Sequence, residues 1–108
     1  MSMMDKYMEK YNPKTLAELV EEQINDLSVS YPDLKVVNGI VKVYVEPDSS
    51  SNYIRIPQGT RLLATETRPS RNSSSIMAFV EGDYYDINNE YHRVKGWVSL
   101  SSNNLMLI

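Results

Sequence analysis

The sequence has no cysteine, one histidine, one tryptophan, one phenylalanine and four glycines among 108 residues. The lack of cysteine removes disulfides and thiol chemistry, and a single imidazole without thiols leaves no recognisable zinc-ligand set. No apolar run approaches the roughly 20 residues a membrane-spanning helix needs. The opening Met1-Ser2-Met3-Met4-Asp5-Lys6 also lacks the continuous apolar core of a secretory leader. The expectation is a protein made in the cytoplasm, including one built there into a larger particle, with no membrane partner. Basic charge is scarce: 11 Lys and Arg stand against 14 Asp and Glu, for a formal net charge of −3. Non-specific nucleic-acid binding needs a concentrated basic face, so no nucleic-acid partner is expected. No glycine-rich phosphate loop, serine nucleophile elbow or zinc signature occurs. The chain therefore reads as a non-enzyme without cofactor or metal.

The charge that is present is uneven. Residues 1–33 carry three lysines against seven acids, and the remainder is nearly neutral. Arg55, Arg61, Arg68 and Arg71 face only Glu66 in one stretch, and Glu81, Asp83, Asp86 and Glu90 crowd the next. The arginines read either as a basic loop that meets an acidic partner or as an ordinary solvated loop.

Apolar spacing predicts an amphipathic helix over 13–27. Leu16, Leu19, Val20, Ile24 and Leu27 share one face, while Glu18, Glu21, Glu22 and Asn25 point elsewhere. Asn12 is placed to cap, Pro13 suits a first turn, and Thr15 with Glu18 offers an alternative capping box. A helix of about 15 residues is marginal alone in water, so its apolar stripe must pack on the chain's own sheet or on a neighbouring subunit. Upstream, Met4, Tyr7, Met8 and Tyr11 also fall at helical spacing, and a methionine–tyrosine stripe suits a docking arm or an extra turn on the same core.

From Leu34 the pattern changes to short β-branched and aromatic runs. Val36 to Val45, interrupted by Asn38-Gly39, and Tyr53 to Ile56, stopped by Pro57, read as strands. Gln58-Gly59 turns the chain into Arg61 to Thr67, and a loop runs from Arg68 to Ser75. Ile76 to Val80 is a further strand, and Tyr84 to Ile87 and Glu90 to Leu100 form a hairpin. Asn88-Asn89 at its tip tolerate the positive φ of a tight turn. Leu105 to Ile108 closes the series. The fold class is α+β, mainly β: an arm and amphipathic helix over 1–33, then a small antiparallel barrel over 34–108.

The order of Val41-Lys42-Val43, Gln58-Gly59-Thr60, Tyr84-Tyr85-Asp86-Ile87 and Gly96-Trp97-Val98 with Leu105 resembles bacterial SH3-like domains, over about residues 36–108. The family often has tryptophan where Tyr84 or Tyr85 stands, and an arginine-containing loop start where this chain has Tyr44-Val45-Glu46-Pro47. A shorter segment, Gly39-Ile40-Val41 through Ile54-Arg55-Ile56-Pro57-Gln58-Gly59-Thr60, is similar to part of the baseplate J-like proteins of phage tails. The first resemblance implies an SH3-like barrel and, for many relatives, peptidoglycan binding; the second implies a structural subunit of a virion or similar particle.

Tyr44, Tyr53, Tyr85 and Trp97 are the expected contact residues, because tyrosine and tryptophan give large contact area at low entropic cost. Met4, Tyr7, Leu16, Val20 and Ile24 would supply a second contact from the arm and helix. The expected function is a non-catalytic module that joins a protein partner or its own copies in an assembly. The alternative is a peptidoglycan or peptide ligand-binding domain. For an assembly subunit, removal of residues 1–30 is expected to abolish association and leave a folded barrel. His92 reads as a partly exposed strand histidine, and Asp83, Asp86 and Glu90 as a solvated acidic hairpin.

Overall fold

The computed structural model describes residues 14–26 and 31–108. Among them one helix, α1 (Leu16–Asn25), precedes the strands β1 (Asp33–Val36), β2 (Ile40–Tyr44), β3 (Tyr53–Pro57), β4 (Arg61–Pro69), β5 (Ile76–Tyr85), β6 (Tyr91–Ser99) and β7 (Leu105–Leu107). All pairings are antiparallel, in the spatial order β3-β2-β6-β5-β4-β1-β7. The mainly β class thus matches the expectation. Among the described residues no ladder joins β3 to β7, so the sheet is a curled half-barrel with two edges.

The curl has a local cause. Gly82 sits opposite Leu62, and a Cβ on it would lie 2.5 Å from the Arg61 carbonyl oxygen. Gly96 plays the same part where β6 meets β2, a contact reduced to the single rung Tyr44–Trp97. At both places the backbones approach more closely than any side chain permits. A bulge in β4 between Ala64 and Glu66 adds further bend, with the Thr65 hydroxyl donating to the Phe79 carbonyl at 3.5 Å.

One strand expectation holds and one changes. The run from Val36 to Val45 is interrupted at Asn38-Gly39 as expected, where Gly39 has φ +55°, and β2 follows that bend. Conversely, Ile76–Val80 and Tyr84–Ile87 are not separate: β5 runs unbroken through Gly82, which pairs with Leu62 on one side and Val94 on the other. The 85–91 hairpin falls where the asparagines placed it, with Asn89 at φ 61°.

The concave face carries the core. Leu34 and Val36, Val41 and Val43, Ile56, Leu62 and Ala64, Ala78 and Val80, and Val94 and Val98 alternate inward from six strands. Leu100 and Leu105 complete it. Helix α1 lies against β4 and β7 and sends the fully buried Val20 into this cluster, with Leu16, Ala17 and Ile24 packed beside it. Complete burial of a valine side chain stabilises by roughly 1.5–3 kcal/mol. The helix therefore packs in cis and shares one core with the strands. It is shorter than the expected 13–27 because Thr15 is the cap: its hydroxyl accepts the Glu18 N–H at 3.2 Å. Asn12, Pro13 and Leu27 lie outside the described residues.

Candidate interaction surface

Alternation along β2 and β3 decides what the hairpin between them presents. Val41, Val43 and Ile56 face the core, so Lys42, Tyr44, Tyr53 and Arg55 face the convex side. The register sets Tyr44 opposite Tyr53 and Lys42 opposite Arg55. The two tyrosine rings are 5.5 Å apart, tilted by 59°. Both cations lean on the same ring, with Lys42 Nζ 4.8 Å and the Arg55 guanidinium carbon 5.9 Å from the Tyr53 centroid. Tyr53 remains 41% exposed.

Like charges directly opposite each other on one sheet face are destabilising, by a few tenths to about 1 kcal/mol. The three arginines that follow Arg55 have carboxylate partners: Arg61 with Asp33 at 3.1 Å, Arg68 with Glu66 at 2.9 Å and Arg71 with Glu46 at 3.0 Å. Lys42 and Arg55 form no ion pair among the described residues. Of the four arginines read either as a basic loop or as a solvated one, three are thus ion-paired and only Arg55 belongs to an aromatic, two-cation patch. Lys42 was the missed residue. Its signal is the central position of a cation in Ile40-Val41-Lys42-Val43-Tyr44 and of another in Tyr53-Ile54-Arg55-Ile56-Pro57.

The four expected aromatics do not make one surface. Trp97 faces the convex side but is only 8% exposed, with Phe79 edge-on at 5.3 Å. Met77, on the same side of β5, is also buried. The loop after β2 and the loop after β4 are joined to each other. The Arg71 N–H donates to the Pro47 carbonyl at 2.9 Å, and Pro47 is itself buried. Asn72 Oδ1 accepts from the Ser49 N–H at 3.2 Å, and Asn72 Nδ2 donates to the Ser49 hydroxyl at 2.8 Å. Trp97 is therefore corrected from an exposed contact residue to a buried one packed on Phe79. Tyr85 lies six residues along β5 from Phe79, roughly 20 Å away at 3.3 Å per residue. It pairs instead with Tyr91, ring centroids 5.6 Å apart.

Of the assembly-helix residues, only Val20 is corrected to a core residue. Val20 is inaccessible, and Leu16 and Ile24 pack on the core. Met4 and Tyr7 lie outside the described residues.

The acidic hairpin is built rather than merely solvated. Asp86 Oδ1 accepts from the Asn88 and Glu90 N–H groups at 2.8 and 2.9 Å, and Asp86 Oδ2 is 2.7 Å from His92 Nε2. His92 stacks on Tyr84 at 5.2 Å. The His92 hydrogen bond first, and the Glu90 N–H second, hold the Asp86 carboxyl below its ordinary value. The turn brings donor atoms of Asp86, Glu90 and His92 within 4.8 Å of one another. Both Asp86 oxygens already serve the turn, which accounts for the convergence without an ion. Beside it Tyr91 donates to Asp83 at 2.9 Å, which raises the Tyr91 phenol above its ordinary value.

No family model, curated protein or solved structure matches this chain. No helix among the described residues is long and apolar enough to cross a membrane.

Proposed function

We propose that this protein is a non-catalytic interaction module that contacts a protein partner through the convex face of β2 and β3. One observation carries the reading: the exposed Tyr53, paired with a half-buried Tyr44, is flanked by two directly opposed cations that have no carboxylate partner among the described residues. Tyrosine and arginine are the side chains that most often carry binding energy at interfaces. An opposed cation pair gains from a partner's negative charge what it loses to mutual repulsion. The setting implied by the baseplate resemblance is a structural subunit of a larger particle, and the SH3-like resemblance suits the same role as an adaptor.

The test is selection from an unbiased displayed-peptide library on the intact protein, with the Tyr53→Ala variant as counter-selection. Enriched peptides that lose binding to the variant support the reading. A library yielding only binders indifferent to Tyr53→Ala, or saturable pelleting of the protein with purified peptidoglycan, would replace it with another contact face or with wall binding.

A further inference from the structure

The edge strand beside this patch has unused hydrogen-bonding capacity. The Val45 N–H donates to the Asn52 carbonyl at 2.9 Å. Counting from that bond along the register, Val43–Ile54 and Val41–Ile56 are the hydrogen-bonded pairs of the β2–β3 ladder. The N–H and C=O groups of Tyr53 and Arg55 therefore point away from β2. β3 is the terminal strand, so no described strand receives them. Pro57, the next residue of that phase, has no N–H, which limits the free edge to those two residues.

The side chains at this edge are as specific as the backbone. On the convex side stand Arg55, Tyr53 and the Lys42 ammonium leaning across the Tyr53 ring. On the concave side Ile54, opposite core Val43, is 47% exposed. A strand laid along β3 would place one set of alternate side chains against the cations and the other set over Ile54.

We infer that the outer edge of β3 receives an extended segment of a partner protein in which acidic and apolar residues alternate, added as an eighth strand. Charge complementarity selects this occupant. A second copy of β3 in antiparallel register would bring cationic edge to cationic edge, and charged edges with proline are the usual guard against such self-pairing. An acidic strand neutralises Lys42 and Arg55, and its apolar residues cover Ile54. The inference deepens the module reading and rests on it.

The test uses the intact protein and the capped heptapeptide Ser-Glu-Val-Glu-Val-Glu-Ser, followed by amide chemical shifts. Saturable shifts centred on Tyr53 to Arg55 are expected. Substitution of lysine for each glutamate in the peptide abolishes them. Arg55→Glu in the protein weakens binding roughly tenfold, whereas Arg93→Glu, far along β6, changes it less than about twofold. N-methylation separates strand addition from simple charge attraction. Methylating the glutamate amides eliminates binding if the added strand is antiparallel, and methylating the valine amides does so if it is parallel.

Binding indifferent to both methylations, or equal binding of the lysine peptide, overturns the inference. So does absence of binding by the heptapeptide while library peptides still depend on Tyr53; that outcome leaves the module reading intact. A concentration-dependent dimer abolished by Arg55→Glu would put a second copy on the edge and also overturn it.

Discussion

The Tyr44 carbonyl oxygen lies 2.5 Å from where a Cβ on Gly96 would stand, and Val43 Cγ1 lies 2.7 Å from the same point. One of the two obstructing atoms is backbone, so no rotamer change relieves the contact. Among the described residues this crossing is also the only ladder rung that ties the β2–β3 hairpin to the rest of the sheet. Gly96→Ala is expected to lower unfolding free energy by about 3 kcal/mol or to leave the β2–β3 hairpin detached. Gly59→Ala is the comparison. Gly59 has φ +92° but nothing within 4 Å of an added Cβ, so only backbone strain of about 1–2 kcal/mol is expected. Urea unfolding of both variants checks the order, and an equal or smaller loss at Gly96 would contradict the close-approach account.

The buried Val20 makes the helix part of the core, and the consequence is measurable. Val20→Ala is expected to cost about 2 kcal/mol, from two lost methyl groups and the cavity they leave. Removal of residues 1–30 would open the concave face over β4 and β7 and expose the core residues beneath α1. The truncated chain is expected to lose cooperative thermal unfolding. A truncated chain that melts as sharply and as high as the intact one would restore the separable-barrel expectation.

How far the sequence carried these points depends on what periodicity can encode. The alternation of Val41 and Val43, the asparagine tip at Asn89 and the Thr15 cap are local signals, and each falls where local physics puts it. Gly96 was legible as a special position beside Trp97, but its cause, contact with Tyr44, is non-local. The fate of Trp97 was not legible. Alternation assigns it to the face opposite Val94 and Val98, and a face opposite the core is ordinarily solvent. Its burial there comes with Phe79 edge-on at 5.3 Å, a neighbour supplied by another strand 18 residues earlier. The Lys42–Arg55 pair was hidden for the same reason, since register between strands is needed to set one cation opposite the other.

The junction of the loops after β2 and β4 predicts a ranking. Asn72 joins Ser49 and Ser70 through its side-chain oxygen and returns a donor to Ser49. Arg71 adds only an exposed ion pair to Glu46, along with a backbone bond that mutation leaves in place. Asn72→Ala is expected to cost about 1 kcal/mol, and Arg71→Ala no more than about 0.5 kcal/mol. Loosening of the joined loops is expected to reach the buried Trp97, so Asn72→Ala should raise acrylamide quenching of the single tryptophan and Arg71→Ala should leave it nearly unchanged. Equal quenching in the two variants would show that the ion pair closes the loops.

Acid should open the far hairpin in a defined direction. Asp86 titrates below its ordinary 3.8 because its ionised form accepts hydrogen bonds from His92 and from the Glu90 and Asn88 N–H groups. A folded-state value below the unfolded one adds stability that is fully present above the unfolded value. That stability is lost as pH falls through the depressed folded value. From neutral pH down to about 4 the Asp86 contribution should therefore persist, with its loss confined to more acid solution. The Asn88 and Glu90 amide shifts report it directly, since both N–H groups donate to Asp86. In Asp86→Asn the carboxylate is gone, and the acid-dependent movement of these two amides should vanish. Movement that survives the substitution would assign the titration to Glu90 or Asp83 instead.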